Sequence, residues 1–257
     1  MTLVDPLRVA EIIRETAQEI ILPRFQHLSA SDIREKGPGD LVTIADTEAE
    51  RALTRRFAEL LPGSQVVGEE AVSANASVLD RLTGAAPVWI IDPVDGTSNF
   101  AHGRKHFAVI VALVLEGRTV QGWIHDPLND STAIAALGEG VWIGERRLTV
   151  PADAPVQTLI GTVGGRKVET LSKAVAKLIR HGSAAHDYLA LIEGRLHFAY
   201  FRRLRPWDHA AGVLMHAEAG GYSAMMDGTP YQPLLTDASI LLAPGRQTWD
   251  SLAGLLA

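Results

Sequence analysis

Apolar positions recur at helical spacing along residues 6–25, where Leu7, Ala10, Ile13, Ala17, Ile20 and Ile21 share a face. They recur again along residues 47–61, behind Asp46, a residue with the chemistry of a helix cap. Two amphipathic helices are expected. Gln65-Val66-Val67 is a short strand-like run after the Leu61-Pro62-Gly63 break, and residues 88–91 and 107–115 are continuous apolar runs suited to buried strands. Glu116-Gly117-Arg118 turns the chain back into a partner at 120–124, and 132–137 and 141–143 add strands around Gly138-Glu139-Gly140. The first sheet is therefore expected to be largely antiparallel. Past 151–155, a proline-bounded segment that punctuates like a subdomain junction, the patterns alternate. Strands are predicted at 158–163, 196–200 and 240–242, and helices at 168–179, 184–193, 207–219 and 249–256. Such alternation packs as layers of sheet and helix, an α/β organisation, in one domain over 1–257 with subdomains about 1–150 and 151–257.

The apolar run at 88–91 ends abruptly in Asp92-Pro93-Val94-Asp95-Gly96-Thr97. Pro93 fixes φ and offers no ladder donor, so the two carboxylates sit at a strand exit. Gly96 admits positive φ or a close approach to a ligand, and Thr97, Ser98 and Asn99 start helices and leave N–H groups facing outward. Gly68-Glu69-Glu70 places two more acids at the end of a strand-like run. Asp208, behind Arg205-Pro206-Trp207, opens a helix. The chain has no cysteine and these clusters hold no histidine, so the ligand set is all oxygen. Mg²⁺ is favoured first, then Mn²⁺ or Ca²⁺, over zinc. Carboxylates for a cation beside N–H groups for an anion suit a metal-assisted reaction on a phosphate.

With Lys36, Asp40-Leu41-Val42-Thr43-Ile44-Ala45-Asp46, Gly182-Ser183-Ala184-Ala185 and Trp207-Asp208-His209-Ala210-Ala211-Gly212, these segments form five motifs in order. The chain resembles the inositol monophosphatase family of Mg²⁺-dependent, lithium-sensitive phosphatases nearly end to end. That resemblance implies a five-layer αβαβα sandwich of the sugar-phosphatase type, a homodimer, and two or three Mg²⁺ per site. It implies that Glu69, Asp92 and the carbonyl of Val94 hold a first cation, and that Asp92, Asp95 and Asp208 hold a second. Thr97 would orient the attacking water, with Asp46 accepting a hydrogen bond from its hydroxyl and Glu69 sharing that water through the first metal. The N–H groups of Gly96 and Thr97 would cradle the phosphate, and Ser183 and Ala184 are further substrate-side candidates. Glu70 and Lys36 would act from behind these.

Each residue has a plainer reading. Taken singly, Glu69, Asp92 or Asp95 is a solvated or capping acid, Asp46 and Asp208 are helix caps, and Trp207 is core packing. His102, His106, His125 and His209 are read as structural or solvent-facing. A net charge of −6 argues against general nucleic-acid binding and leaves the attraction of an anionic substrate to local cations. The start of the chain carries no basic-then-apolar signal pattern, and no apolar run approaches the roughly 20 residues of a membrane span, so a soluble cytoplasmic protein is expected.

Substrate identity turns on one departure from the family pattern. Where inositol-specific members place a hydroxyl-reading glutamate, seven residues before the last metal aspartate, this chain has Phe201. Burying hydroxyls against a phenyl ring leaves them unpaired, at about 1–3 kcal/mol each. Arg202, Arg203 and Arg205 follow, and arginine suits a second phosphate or a carboxylate, although a solvated basic run reads equally well. Phe201 with Tyr200 equally fits the core, and recognition then falls to the loop around Gly164-Gly165-Arg166-Lys167, to residues 183–185, or to the partner subunit of a dimer. The expected activity is a phosphomonoesterase acting on a small phosphorylated polyol, sugar or amino alcohol. The alternatives are a bisphosphate phosphatase, for a nucleotide 3′,5′-bisphosphate or fructose 1,6-bisphosphate, and a regulatory binding protein that keeps the fold.

Overall fold

The computed structural model describes residues 4–164 and 169–256. Helix α1 (Pro6–Thr16) opens the fold and is followed by the hairpin β1 (Ile33–Gly37) and β2 (Asp40–Thr43), the long helix α2 (Ile44–Leu60), β3 (Gln65–Gly68) and the short α3 (Glu69–Ala74). Next come β4 (Val88–Asp95), α4 (Thr97–Ala101), β5 (Ala108–Leu115), β6 (Arg118–Asp126), β7 (Ser131–Ala136), β8 (Gly140–Ile143) and β9 (Arg146–Leu148). Strands β3 to β9 form one seven-stranded sheet in sequence order, antiparallel except for β3 and β4. The remainder is β10 (Ile160–Val163), α5 (Glu169–Ala174), β11 (Lys177–Ile179), α6 (Ala184–Ile192), β12 (Phe198–Leu204), α7 (Pro206–Glu218), β13 (Tyr222–Met225), β14 (Thr236–Ala243) and α8 (Arg246–Leu256). Its strands make a mixed five-stranded sheet in the order β11-β10-β12-β14-β13.

Side-chain alternation along the central strands sets the layers. In β4, Trp89 and Ile91 join Ile13 of α1 and Phe57 of α2 in one core, with the Trp89 and Phe57 rings stacked 4.4 Å apart. Val88 and Ile90 face the other way, into a core with Tyr188 of α6 and Ala211 and Met215 of α7. In β12, Ala199 and Phe201 enter that same central core, whereas Phe198 and Tyr200 pack outward with Leu171 of α5 and Trp249 and Leu252 of α8. The layers are thus α1 with α2, the seven-stranded sheet, α6 with α7, the five-stranded sheet, and α5 with α8. This is the five-layer αβαβα sandwich.

Several element boundaries differ from the periodicity. The helix expected over 6–25 is α-helical only to Thr16, then widens into a π-turn at Ala17–Ile21 and a 3₁₀ turn at Leu22–Arg24, where Pro23 removes a donor. The helix expected over 168–179 ends at Ala174, and Lys177–Ile179 becomes an edge strand parallel to β10. Val175, Leu178 and Ile179 fit a helix face or a short strand equally well, and pairing decides. Strand β12 runs on to Leu204, so Phe201, Arg202 and Arg203 belong to a strand rather than a loop. Helix α2 starts at Ile44 with Thr43 as its cap, ahead of the Asp46 boundary.

Helix α7 touches both sheets, and two glycines let it lie close to the seven-stranded sheet and to α6. A Cβ on Gly122 of β6 would lie 3.0 Å from the Cα of Ala211, and one on Gly212 would lie 2.2 Å from the Tyr188 ring. Gly212→Ala gains about 1 kcal/mol of helix propensity, but the methyl must displace a fully buried ring. Overpacking of this kind costs about 1–3 kcal/mol or more. The expected net result is a lower urea midpoint at an unchanged m-value, and an unchanged midpoint would show that the layer yields freely.

Candidate active site

The site forms where β4 leaves its sheet. Residues three apart in a regular strand point to opposite faces, which would separate Asp92 from Asp95. The pairing with β5 shifts by one residue between them, with Asp92 opposite Ile110 and Asp95 opposite Ala108, so both carboxylates turn toward one pole. Asp92 Oδ1 accepts the Val94 N–H at 3.0 Å, which folds the Pro93 turn back on itself. Asp95 accepts the N–H groups of Ala184 at 3.0 Å and Ala185 at 2.9 Å, and the Ser183 hydroxyl. Asp208 arrives from the first turn of α7, and one oxygen from each of Asp92, Asp95 and Asp208 lies within 4.8 Å of the others.

The three acids are held together against their charge. Burial raises Asp92 and Asp208 well above the usual carboxylate range, and the neighbouring acids raise them further. Burial also raises Asp95, although the donors of Ser183, Ala185 and Ala184 oppose it. No basic side chain pairs with any of the three among the described residues. Arg205, at the cap position of α7, acts on Asp208 only at longer range. Clustered oxygen donors without a protein counter-cation fit a hard divalent ion.

Glu69 opens α3 beside this cluster. Its Oε1 accepts the Lys36 Nζ at 2.7 Å, and the same ammonium reaches Glu70 Oε1 at 2.9 Å. Burial pushes Glu69 up to about 7 despite Lys36. Burial alone would lower Lys36, but the two glutamates hold it above its ordinary value. Thr97 begins α4 with its Oγ1 3.0 Å from Asp46 Oδ1 and 3.0 Å from the Val94 carbonyl. Asp46 also accepts the Thr43 N–H at 2.8 Å through Oδ2, so it closes a capping box and grips Thr97 at once. Its carboxylate thus serves the helix start and the Thr97 hydroxyl together. Burial pushes it up to about 6.

Gly96 has φ +85°, and a Cβ there would lie 2.6 Å from the His106 carbonyl, so only glycine fits the turn. Asn99, by pattern only a helix starter, donates through Nδ2 to the carbonyls of His106 at 2.7 Å, His181 at 3.0 Å and Gly182 at 3.1 Å. It ties the turn after α4 to the segment that presents Ser183. An amide in a Thr-Ser-Asn run reads as a helix starter, and nothing local marks its distant partners. Ser183 and Ala184 direct their polar groups at Asp95. His102 and His106, four residues apart, share no helix, since α4 ends at Ala101.

Phe201 is buried, its ring centroid 4.8 Å from His209 and 5.3 Å from Tyr188. The Tyr188 hydroxyl and His209 Nδ1 lie 3.0 Å apart beside it. Arg202 stacks over Tyr200 at 5.1 Å, on the face of β12 turned away from α7. Arg203 has φ +59° at a register shift of the strand. Of this run, Arg205 acts on Asp208, at longer range and without an ion pair. Of the alternative recognition loop, residues 165–168 lie outside the described residues. A cleft of about 820 Å³ runs along Ala210, Val213, Leu214 and Ala217 of α7 but is lined by none of the acids. Chemistry rather than cavity size locates the site.

Among the described residues no helix is long and apolar enough to cross a membrane. Residues 5–257 match the inositol monophosphatase family. An inositol-1-monophosphatase of Bacillus subtilis is 31% identical over 230 residues, covering 85% of this chain and 84% of its own. A fructose-1,6-bisphosphatase/inositol-1-monophosphatase of Thermotoga maritima is 33% identical over 203 residues, 76% of each chain. The extragenic suppressor protein suhB from Bartonella henselae superposes with a TM-score of 0.82 at 26% identity, covering 97% of both chains. The chain belongs to the inositol monophosphatase family and is by that membership a phosphatase, a hydrolase of phosphoric monoesters.

Proposed function

We propose that this protein is a Mg²⁺-dependent phosphomonoesterase for a small phosphorylated metabolite, an inositol monophosphate-like polyol, sugar or amino-alcohol phosphate. The observation that carries this reading is the convergence of Asp92, Asp95 and Asp208 within 4.8 Å, with no basic side chain paired to them among the described residues. Glu69, Asp92 and the Val94 carbonyl would hold one cation, and Asp92, Asp95 and Asp208 the other, with Mn²⁺ able to substitute. Bound there, divalent cations supply activation of water and neutralisation of charge on the leaving oxygen.

The chain's own groups do the rest. A hydroxyl has one donor and two lone pairs, so Thr97, donating its hydrogen bond to Asp46 or to the Val94 carbonyl, keeps an acceptor for the attacking water. The N–H groups of Gly96 and Thr97, at the start of α4, are set to cradle phosphate oxygens. Phe201, buried in the central core beside Tyr188 and His209, leaves β12 without an acceptor for a substrate hydroxyl at that position, and Arg205 acts on Asp208 at longer range with no acid paired to it among the described residues. Those two residues favour a substrate with a second anionic group, and a bisphosphate is the second reading. The intact acid cluster favours an enzyme over a regulatory protein that merely keeps the fold.

Turnover of a generic phosphate monoester is expected with Mg²⁺ and should stop in excess chelator. Asp95→Asn and Asp208→Asn should lower kcat sharply while the protein stays folded. Full activity in chelator would sink the two-cation reading.

Metal-free stability should show the same charges. Glu69, raised from its ordinary 4.5 to about 7, keeps a proton in the folded chain that the unfolded chain releases at lower pH. Stability from this group is present below its unfolded value and lost as pH climbs through about 7. A cation displaces those protons, so Mg²⁺ should raise the melting temperature more at about pH 8 than at about pH 5. His209 and His216, pushed down to about 3 by burial, weaken the fold in acid with or without cation and drop out of the difference. An equal gain at both pH values would place the cation elsewhere.

Thr97→Ala should cut kcat by about 10²-fold or more with little change in KM. Asp46→Asn should give a similar but non-additive loss. Independent, additive effects would reduce Asp46 to a cap.

For selectivity, Arg205→Ala should raise KM for a bisphosphate more than for a monophosphate, because a removed arginine costs only the substrate that used it. If inositol 1-phosphate leads a broad substrate panel, the argument from Phe201 and Arg205 is wrong.

A further inference from the structure

Helix α2 carries a second buried carboxylate one turn beyond Asp46. Glu50 lies four residues on, on the same helix face, and is 7% exposed. No basic side chain pairs with it among the described residues, and Lys36 acts on it only at longer range. Its partners are backbone groups. Oε2 accepts the Glu70 N–H at 2.8 Å and Oε1 the Ala71 N–H at 2.9 Å. These are donors that the opening turn of any helix leaves without an internal acceptor. Gly68, at the cap position of α3, has no side chain to serve them.

Gly68 instead makes room. A Cβ there would lie 2.2 Å from the Glu50 Cδ and 2.4 and 2.6 Å from its two oxygens. The carboxylate therefore rests against the glycine, and no other residue admits it. Helix α3 has six residues, too few to fix its own direction by cooperativity. Glu69, its first residue, takes its orientation from whatever holds the next two N–H groups.

We propose that Glu50 is a positioning residue for the cation site, setting the seat of Glu69 through the backbone of Glu70 and Ala71. Asp46 and Glu50 then work as a pair spaced by one helical turn. Asp46 fixes Thr97 and Glu50 fixes Glu69, so a single rigid helix sets the distance between the two segments. The inference rests on the two-cation reading, and its test separates the two.

The experiment is Mn²⁺ binding to the full chain by calorimetry, with the melting temperature of the metal-free protein measured alongside. In Glu50→Gln the amide nitrogen meets a backbone N–H, so one bond is lost and two donors oppose each other. Mn²⁺ affinity should fall by about 10–100-fold. The metal-free melting temperature should stay near that of the parent, because the variant also removes a buried charge that lacks a basic partner. At saturating Mn²⁺ the KM for a phosphate monoester should return to the parent value.

Unchanged Mn²⁺ affinity in Glu50→Gln overturns the proposal, as does a drop in melting temperature equal with and without metal. Should Glu50→Gln fail to fold, Glu50→Asp keeps the charge and withdraws it by one methylene, and the same weakening is expected. Failure of both to fold also overturns it, since the carboxylate would then hold the fold and not the site. A parent protein that binds no Mn²⁺ would instead remove the two-cation reading itself.

Discussion

Asp92, Asp95 and Asp208 repel one another inside the protein, and the surroundings answer that repulsion with backbone dipoles rather than opposite charges. The first turn of α6 points two N–H groups and a serine hydroxyl at Asp95, and the Pro93 turn points the Val94 N–H at Asp92. Neutral donors of this kind hold a carboxylate in place without cancelling its charge. A lysine or arginine in the same position would form a buried ion pair and cancel the charge that lets the cluster hold a cation. Lys36 does pair with Glu69, but at the edge of the cluster, where two glutamates share one ammonium.

From this follows the layering. Asp208 must meet acids that come from a different sheet, so α7 has to lie against the seven-stranded sheet while its preceding strand, β12, belongs to the five-stranded one. Gly122 and Gly212 remove the side chains that would hold α7 away from the sheet and from α6. Phe201, at an inward position of β12, fills the space beside Tyr188 and His209. Packing and chemistry share the same few residues here, so a change in the central layer is felt at the acids.

Much of this was legible in the residue pattern. The strand ending in two acids, the acids of Gly68-Glu69-Glu70 and the helix opened by Asp208 all lie where the alternation of apolar and polar positions put them. Those signals are local: a strand exit or a helix start is written within a few residues. Periodicity reads Lys177–Ile179 as helix because Val175, Leu178 and Ile179 satisfy either period, and only pairing with β10 settles it. Asn99 and Glu50 leave their distant partners invisible in the pattern for a related reason. Each acts on backbone groups far along the chain, and a hydrogen bond from a side chain to a distant carbonyl or N–H leaves no mark on the composition of its partner.

The one-residue shift between β4 and β5 has a consequence for how such a sequence can change. Because side chains in a strand alternate, facing is a matter of parity, and the shift alters the count by one so that two acids of opposite parity look the same way. Replacing an apolar residue of β4 by another leaves that parity intact. Inserting or deleting a single residue between Asp92 and Asp95 reverses it, and sends one carboxylate toward the hydrophobic layer. Length, more than composition, is what this stretch must inherit unchanged.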